Sequence, residues 1–234
     1  MKKKKGGFLI GAGLLLIAAA ALLGAYNVYD GYRAEQVVEE PVHHLEALLE
    51  EQQEDVQEPT VEQPVQQENE TADVKPEPTP VYREELEIPN YILNPDMDMP
   101  VSNYDGQDYI GLLEIPALEL KLPVISEWSY PRLRIAPCRY EGTAYKRNMI
   151  IMAHNYASHF GELNALQEGS AVIFTDIDGN RFEYLVELKE TLDPYDVEGM
   201  KASGWDLTLF TCTPGGSYRV TVRCTQIEEP LHMY

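Results

Sequence analysis

Apolar and polar positions divide the 234-residue chain into three stretches of different character. The first contains FLIGAGLLLIAAAALLGAY at positions 8–26, which is 19 residues without a charge. About 20 apolar residues cross the hydrocarbon core as a helix, whereas the apolar core of a cleaved signal peptide usually has only about 7 to 15. Residues 1–29 are therefore predicted to be an uncleaved transmembrane anchor. Because Lys2 to Lys5 precede it and acidic residues follow it, its basic end is predicted to be cytoplasmic and the rest of the chain extracellular.

The second stretch, residues 30–88, is predicted to be a disordered acidic tether. It is rich in Glu, Gln, Pro and Val, and no aromatic residue occurs between Arg33 and Tyr82. Such a composition offers too little apolar surface to offset the entropy of ordering the chain. A short amphipathic helix around VHHLEALLEE, with Leu45, Leu48 and Leu49 on one side, is the exception that the pattern allows.

In the third stretch, from about Tyr91, short runs of alternating apolar and polar residues predict β-strands separated by turns. The Asp178-Gly179 pair predicts a hairpin, and residues 160–169 form the one predicted helix. Seven or more short strands with little helix indicate an all-β domain with short helices, either a closed barrel or a sandwich. The predicted strands are residues 109–116, 120–126, 148–153, 170–176, 181–191, 206–212 and 218–227.

Charge and cysteine content narrow the possible functions. Of the net charge of −21, −17 falls in residues 30–100 and −8 in residues 101–234, against +4 in residues 1–29. A nucleic-acid partner needs clustered basic residues, so this distribution argues against one. Three cysteines leave at least one thiol unpaired; a bridge between Cys138 and Cys224 is possible, but small buried apolar side chains suit them better.

Cys212 and His154 are the first candidates for chemistry. Cys212 ends the predicted strand DLTLFTC, and a cysteine nucleophile needs a neighbouring base or cation. His154 follows the apolar strand NMIIMA, where a buried strand enters a loop. His159 lies five residues later, which does not fit the i, i+4 spacing of a helical zinc motif, and no Glu is adjacent, so no metal site is predicted.

Arg219 is the third candidate, with Arg223 as its rival. Arg219 opens the last strand seven residues after Cys212, across the turn TPGGS, so a hairpin would bring its guanidinium near the sulfur. Arg223 is on the same face of that strand but further from the turn. A five-donor guanidinium beside a nucleophile could hold a substrate carbonyl and the oxyanion formed from it.

These residues resemble the sortase family. TLFTC at positions 208–212 is similar to the TLxTC motif, and His154 and Arg219 match the other members of the sortase Cys, His, Arg triad. The likeness covers roughly residues 105–227 and implies a closed eight-stranded sortase-like β-barrel over residues 105–234. The interval between Cys212 and Arg219 is shorter than in most of the family. NPDMDMP, at positions 94–100, loosely resembles a sortase lid, so residues 89–104 are a possible lid or pre-barrel segment, although the aromatic residue of such lids is missing.

The resemblance implies a cysteine transpeptidase at the plasma membrane that needs no cofactor. It would cleave surface proteins at an LPxTG-like sorting signal through a thioacyl intermediate on Cys212 and pass them to a peptidoglycan-precursor amine or a pilin lysine. Thr208 and Thr211 of the motif would contact the substrate. A bound calcium occurs in some sortases, but Asp176 and Asp178 are better explained here by the hairpin turn.

Two other functions stay open at this stage. A hydrolytic cysteine peptidase could use the same Cys212 and His154 without a dedicated acceptor. A non-enzymatic surface stalk would use the acidic tether as its functional part and the barrel as an adhesive head, and would have no use for a hyper-reactive cysteine.

Overall fold

The structure, a computed structural model, describes residues 3–57 and 88–227, with the side chains of residues 8–52 described within the first of these ranges. The described helices are α1 (Lys3–Gln57), α2 (Asn90–Leu93) and α3 (Val197–Met200). Single 3₁₀ turns occur at Pro116–Leu118, Arg132–Arg134, Ala144–Lys146 and Leu163–Ala165. The strands are β1 (Ser102–Tyr104), β2 (Gln107–Ile115), β3 (Leu120–Ile125), β4 (Cys138–Glu141), β5 (Met149–Met152), β6 (Ala171–Asp176), β7 (Arg181–Leu192), β8 (Leu207–Cys212) and β9 (Arg219–Gln226).

Eight of these strands close into a barrel, which confirms the fold that the sortase resemblance implied and excludes the alternative of a sandwich. The order around the barrel is β2-β3-β4-β5-β8-β9-β7-β6, and β6 pairs with β2 to complete the circle, with Gly111 opposite Asp176. The short β1 is an extra strand on the first residues of β2. β3 with β4 and β5 with β8 are parallel pairs, and the other pairs are antiparallel. Closure removes the exposed sheet edges that an open sheet would leave.

Alternation along the strands fills the barrel with apolar side chains. On β8, Leu207 and Leu209 belong to the main core, and so do Val222 and Cys224 on the neighbouring β9. The opposite face of β8 is also buried, because Phe210 packs with Ile150 of β5 and Met200 of α3 in a smaller cluster outside the barrel. This second layer covers the outer face of the strand that ends at Cys212.

Helix α1 departs from the predicted tether. It continues without a break through residues 30–57, so disorder over residues 34–57 is wrong for this structure; residues 58–87 lie outside the described part. Ala34, Val38, Pro41 and Leu45 are buried, which is the i, i+3, i+4 spacing of a helix face, and Val38 and Leu45 join the barrel core. The average composition of the segment, which is rich in Glu and Gln, gives no indication of these buried positions. The allowed amphipathic helix around Leu45 is present as part of α1.

Polar contacts fix α1 along the barrel. Glu40 accepts a hydrogen bond from Tyr104 (2.9 Å), Lys121 donates to Glu46 (2.8 Å), and Gln52 donates to the carbonyl of Ile177 (3.1 Å). The residues of α1 that precede this docked part are exposed, and they are apolar and numerous enough to cross a membrane. A signal sequence would also lie near the N-terminus and have these properties. Residues 8–26 are therefore a candidate membrane anchor.

Two further expectations need correction. Residues 160–169 are not an α-helix: only Leu163–Ala165 form a 3₁₀ turn, and Phe160, Leu163 and Leu166 bury their side chains from an irregular segment. Strands β1 and β4 were missed because they are only three and four residues long and too polar to show alternation. The hairpin between β6 and β7 is confirmed; Gly179 has a φ of +81°, a conformation that favours glycine.

Residues 89–104 pack against the barrel away from Cys212. Tyr91 stacks on Tyr145 with ring centroids 4.8 Å apart, and Asp96 pairs with Lys146 at 2.7 Å. The Tyr145 hydroxyl donates to Asp176, whose other oxygen accepts from the backbone amides of the hairpin turn. This position fits a pre-barrel segment, and no residue of 89–104 lines the cavity described below.

Candidate active site

His154, Cys212 and Arg219 come together because three neighbouring strands end or begin at the same level. In the parallel pair β5–β8, Met152 lies beside Phe210, so two residues further His154 follows alongside Cys212. In the antiparallel pair β8–β9, Cys212 lies directly opposite Arg219. The order across the sheet is therefore histidine, cysteine, arginine.

All three residues line one cavity of about 250 Å³ on the outer face of these strands. Its floor is the sheet, and its walls come from the loops that follow β3, β5 and β7. The walls are largely apolar, and aromatic rings contact one another along one of them: Trp128 is 5.9 Å from Tyr140, which meets Phe210 edge-on at 5.6 Å. The other lining residues are Tyr130, Leu133, Met152, Ala153, Asp193, Pro194, Asp196, Val197, Met200 and Thr211.

Cys212 is the one cysteine that a substrate could reach. All three cysteines are free, but Cys138 and Cys224 are buried in the barrel core while Cys212 is half-buried. Burial raises the pKa of the Cys138 and Cys224 thiols to about 12, so both stay protonated at neutral pH. The thiolate is the nucleophilic form of cysteine, which leaves Cys212 as the candidate nucleophile.

His154 begins a compact loop that its own backbone closes. The amide of Phe160 donates to the His154 carbonyl (3.1 Å), and the amides of His159 and Gly161 both donate to the Tyr156 carbonyl (3.0 and 2.8 Å). A Cβ atom at Gly161 would lie 2.7 Å from that carbonyl oxygen, so only glycine fits there. Burial and the nearby Arg134 lower the pKa of His154, and Asp30 acts in the opposite direction. The imidazole therefore loses its proton more readily than in water.

The two candidate arginines differ in their surroundings. Nη1 of Arg219 donates to the carbonyls of Gly216 (3.1 Å) and Tyr218 (3.2 Å) in the turn before it, and within the described residues Nε and Nη2 make no hydrogen bond. These donors are available to a ligand in the cavity.

Arg223 is 1 % exposed and fully engaged. It donates to Glu190 (2.8 Å), to the carbonyls of Met200 (2.8 Å) and Gly199 (2.5 Å), and to the Thr208 hydroxyl (3.0 Å). These bonds attach α3 and β7 to the outer face of β8 and β9. Arg223 does not line the cavity, which favours Arg219 as the arginine of the site.

The two threonines expected to contact substrate have partners inside the protein. Thr208 is 2 % exposed, receives the hydrogen bond from Arg223 and lies outside the cavity lining, so its expected role needs correction. Thr211 lines the cavity, but its hydroxyl donates to the carbonyl of Ala153 (2.8 Å). That bond ties the residue before Cys212 to the residue before His154, which makes Thr211 a brace between them.

His159 lies behind His154 and is completely buried, with neither ring nitrogen hydrogen-bonded. Burial, with a smaller contribution from His154, lowers its pKa to about 4, so the ring is neutral at physiological pH. Among residues 8–52 and 88–227, no group of three His, Cys, Asp or Glu side chains is placed to hold a metal ion.

Sequence reasoning missed three parts of this site. These are the aromatic wall, the loop-anchoring network of Arg223, and a contact between the loop of His154 and helix α1, where the Tyr156 hydroxyl donates to Asp30 at 2.5 Å. The stretch EWSY at 127–130, with two aromatic residues in a turn-like segment, was a usable signal for the wall. Nothing local signals a contact between residues 126 positions apart.

A closed barrel with an accessible cysteine, a histidine and an arginine around one apolar cavity is an arrangement suited to thiol-based acyl transfer. Comparison with known proteins agrees with this class. Residues 113–227 match the family model described as the sortase domain. The barrel of this chain therefore matches the sortase domain, and members of the sortase family are cysteine transpeptidases.

Solved structures that match the chain include several sortase C enzymes. Sortase C of Streptococcus pneumoniae is 28% identical over 53% of this chain and 69% of its own, with a TM-score of 0.47. Sortase C1 of Streptococcus suis is 26% identical over 54% and 76%, with a TM-score of 0.46. Sortase C2 of Group B Streptococcus pilus island 1 is 26% identical over 54% and 77%, with a TM-score of 0.47. No curated protein matches the chain.

Proposed function

We propose that this protein is a membrane-anchored sortase whose catalytic residues are Cys212, His154 and Arg219. It would cleave surface proteins at an LPxTG-like sorting signal and transfer them to an amine. The observation that carries the proposal is the register of β5, β8 and β9, which brings these three side chains to one cavity. The apolar walls beside them suit the Leu-Pro part of such a signal, and the cavity floor suits the Thr carbonyl.

In the first half of the reaction, the Cys212 thiolate attacks the carbonyl carbon of the Thr-Gly bond. The resulting oxyanion accepts hydrogen bonds from Arg219, whose Nε and Nη2 have no other partner in the described structure. As the C–N bond breaks, the His154 imidazolium gives its proton to the departing Gly amine. The product is a thioester between Cys212 and the Thr carbonyl, with His154 neutral.

In the second half, an incoming amine attacks the thioester carbonyl. Neutral His154 takes the proton from this amine, and the C–S bond breaks to release the Cys212 thiolate. The lowered pKa of His154 favours this step, because a readily deprotonated imidazole is available as the base. The acceptor is an amine of a peptidoglycan precursor or a pilin lysine.

Helix α1 supplies the anchor in this proposal. Residues 8–26 would cross the plasma membrane with Lys2 to Lys5 in the cytoplasm, which leaves the barrel on the extracellular side. Surface proteins with sorting signals and the acceptor amine are then the partners, and the reaction needs no cofactor.

The test is turnover of an LPxTG peptide by the full-length protein in lipid nanodiscs, with and without an added amine. We expect an amide product with the amine, and a thioester adduct on Cys212 in an intact-mass spectrum. Cys212→Ala should abolish both, while Cys138→Ala should keep both, since its thiol is buried in the core. Formation of free acid alone at every amine concentration would identify a hydrolytic peptidase, and no adduct with any thiol-directed electrophile at Cys212 would favour the non-enzymatic stalk.

A further inference from the structure

The membrane-proximal part of α1 contacts the loop that carries His154. Asp30 accepts a hydrogen bond of 2.5 Å from the hydroxyl of Tyr156, and both side chains are partly buried. The neighbouring helix residues 27–35 and loop residues 155–158 face each other across a shared surface cleft. This contact is distinct from the apolar stripe further along α1, which packs on β1, β2 and β3.

Tyr156 links Asp30 to His154, because it contacts both residues. The centroid of its ring is 5.0 Å from that of His154 and 5.4 Å from that of buried His159. Its carbonyl is the acceptor that closes the loop, through the amides of His159 and Gly161. Tyr156 is therefore held at its backbone by the loop, at its ring by two imidazoles and at its hydroxyl by Asp30, so a shift of Asp30 would move the ring that packs on His154.

The charge of Asp30 also acts on His154. The groups that face the imidazole are Arg134 of the 3₁₀ turn after β3, Asp30 of α1, and the neutral His159 behind it, together with Cys212, Arg219, Asp193 and Asp196 around the cavity. Burial and Arg134 lower the pKa of His154, whereas Asp30 raises it. Of Arg134 and Asp30, only Asp30 favours the imidazolium, which is the form that must protonate the leaving amine.

We propose that Asp30 is a positioning residue for His154, acting through Tyr156, so that the juxtamembrane turn of α1 is part of the catalytic architecture. The inference rests on the proposed function in that His154 is taken as the general acid and base. It makes the segment between the membrane span and the barrel a determinant of activity and more than a spacer.

The chain offers a closely matched control. Glu40, ten residues further along α1, accepts a hydrogen bond from the Tyr104 hydroxyl at 2.9 Å, which is again a carboxylate on the helix and a tyrosine on the barrel. Neither Glu40 nor Tyr104 lines the cavity. Glu40→Gln therefore makes the same change as Asp30→Asn, replacing a carboxylate by a neutral amide opposite a barrel tyrosine, without touching the loop of His154.

The experiment compares Asp30→Asn, Tyr156→Phe, their double variant and Glu40→Gln in the full-length protein in nanodiscs. Two quantities are measured: the His154 titration by NMR of ¹³C-labelled histidine, assigned by the signal that disappears in His154→Gln, and the pH profile of kcat/KM on an LPxTG peptide. Thermal midpoints report on docking of the helix.

Asp30→Asn should move the His154 titration to lower pH and reduce kcat/KM roughly 10- to 100-fold, because small displacements of a catalytic group cost about this much. Tyr156→Phe should reduce kcat/KM with a smaller change in the titration, since the carboxylate remains. The double variant should be no worse than Asp30→Asn alone, as for two residues acting through one contact. Glu40→Gln should leave both quantities unchanged.

Two outcomes would overturn the inference. One is a His154 titration in Asp30→Asn that coincides with that of the wild type. The other is an equal loss of kcat/KM in Glu40→Gln, which would mean that helix docking in general matters and that Asp30 has no particular role. If the wild type itself turns over no sorting peptide, the proposed function fails, while the NMR titration still decides whether Asp30 acts on His154.

Discussion

The outer face of β8 and β9 carries two arginine-centred regions that lie four residue pairs apart and behave in opposite ways. At one level Arg223 opposes Thr208, is buried, and makes four hydrogen bonds, three of which attach α3 and β7. At the other level Arg219 opposes Cys212, and among the described residues its side chain bonds only to its own turn, beside an open cavity. Arg223 therefore has a structural role, because its donors are used within the protein, whereas Arg219 keeps donors that a substrate can use.

The largest expected effect is a loss of stability on replacing the buried Arg223. Arg223→Ala removes a buried cation that joins four partners and leaves their acceptors unsatisfied, so we expect the free energy of unfolding to fall by roughly 3 to 5 kcal/mol. Urea unfolding followed by circular dichroism measures this. Arg223→Lys should rescue little, because an ammonium group cannot reproduce the planar fork. If Arg223→Ala is as stable as the wild type but has lost turnover, the catalytic arginine is Arg223 and not Arg219.

Replacing Arg219, beside the open cavity, should reduce catalysis and not stability. Arg219→Ala should lower kcat by about 10²- to 10³-fold, since the donors it loses matter mainly in the transition state. Its midpoint of unfolding should stay close to that of the wild type, because its bonds are confined to the turn. Single-turnover acylation on one peptide checks this prediction. Arg219→Lys should resemble Arg219→Ala, and normal acylation by either variant would contradict the assignment.

The two threonines sharpen the comparison with smaller effects. Thr208→Val leaves an Arg223 donor without its acceptor and should cost about 1 to 3 kcal/mol of stability, with kcat retained in the folded fraction. Thr211→Val breaks the bond to Ala153 and should cost about 1 kcal/mol while also slowing acylation, because that bond holds the strand of Cys212 next to the start of the His154 loop. Parallel unfolding and acylation measurements distinguish the two patterns.

The effect that is smallest at neutral pH concerns His159, whose buried ring contrasts with the reachable ring of His154. In the unfolded chain His159 takes up a proton near its ordinary pKa of about 6.5, whereas the folded protein resists protonation until its pKa of about 4. Stability should therefore be unaffected by this group at neutral pH and be lost as the pH falls through that window. His159→Phe should flatten this part of the curve of melting midpoint against pH. An unchanged curve would mean that the ring is solvated in the folded protein.

The sequence predicted most strands because the long strands alternate visibly, but this pattern fits a barrel and a sandwich equally, and the closed barrel came from the family resemblance. Cys212 and Arg219 could be placed together because a short hairpin joins them. His154 was a candidate because it follows an apolar strand, but its place beside Cys212 depended on the family resemblance, since the parallel pairing of β5 and β8 joins segments that are far apart in the chain. The docked half of α1 was missed because average composition outweighed a stripe of four buried positions.

The contact between Asp30 and Tyr156 shows the limit of local patterns most clearly. Neither residue belongs to a motif, and their positions are 126 residues apart. Only the packing of α1 on the barrel brings them together. The role of Thr208 was misjudged for a different reason: alternation gives the face on which a side chain lies, but not that Arg223 occupies its hydroxyl.

The unbroken course of α1 has a consequence for how the enzyme meets its substrates. Asp30 follows Tyr26 by four residues, which is about 6 Å of helix, so if residues 8–26 span the bilayer the cavity of Cys212 is held at one height above the lipid headgroups. A barrel on a flexible linker would sample a range of heights above the membrane, whereas a barrel on a continuous helix stays at one height as it diffuses laterally. If its substrates are surface proteins held in the same membrane, the helix favours those whose scissile bond stands at that height, and lengthening the helix between Tyr26 and Asp30 should change the rate of cleavage.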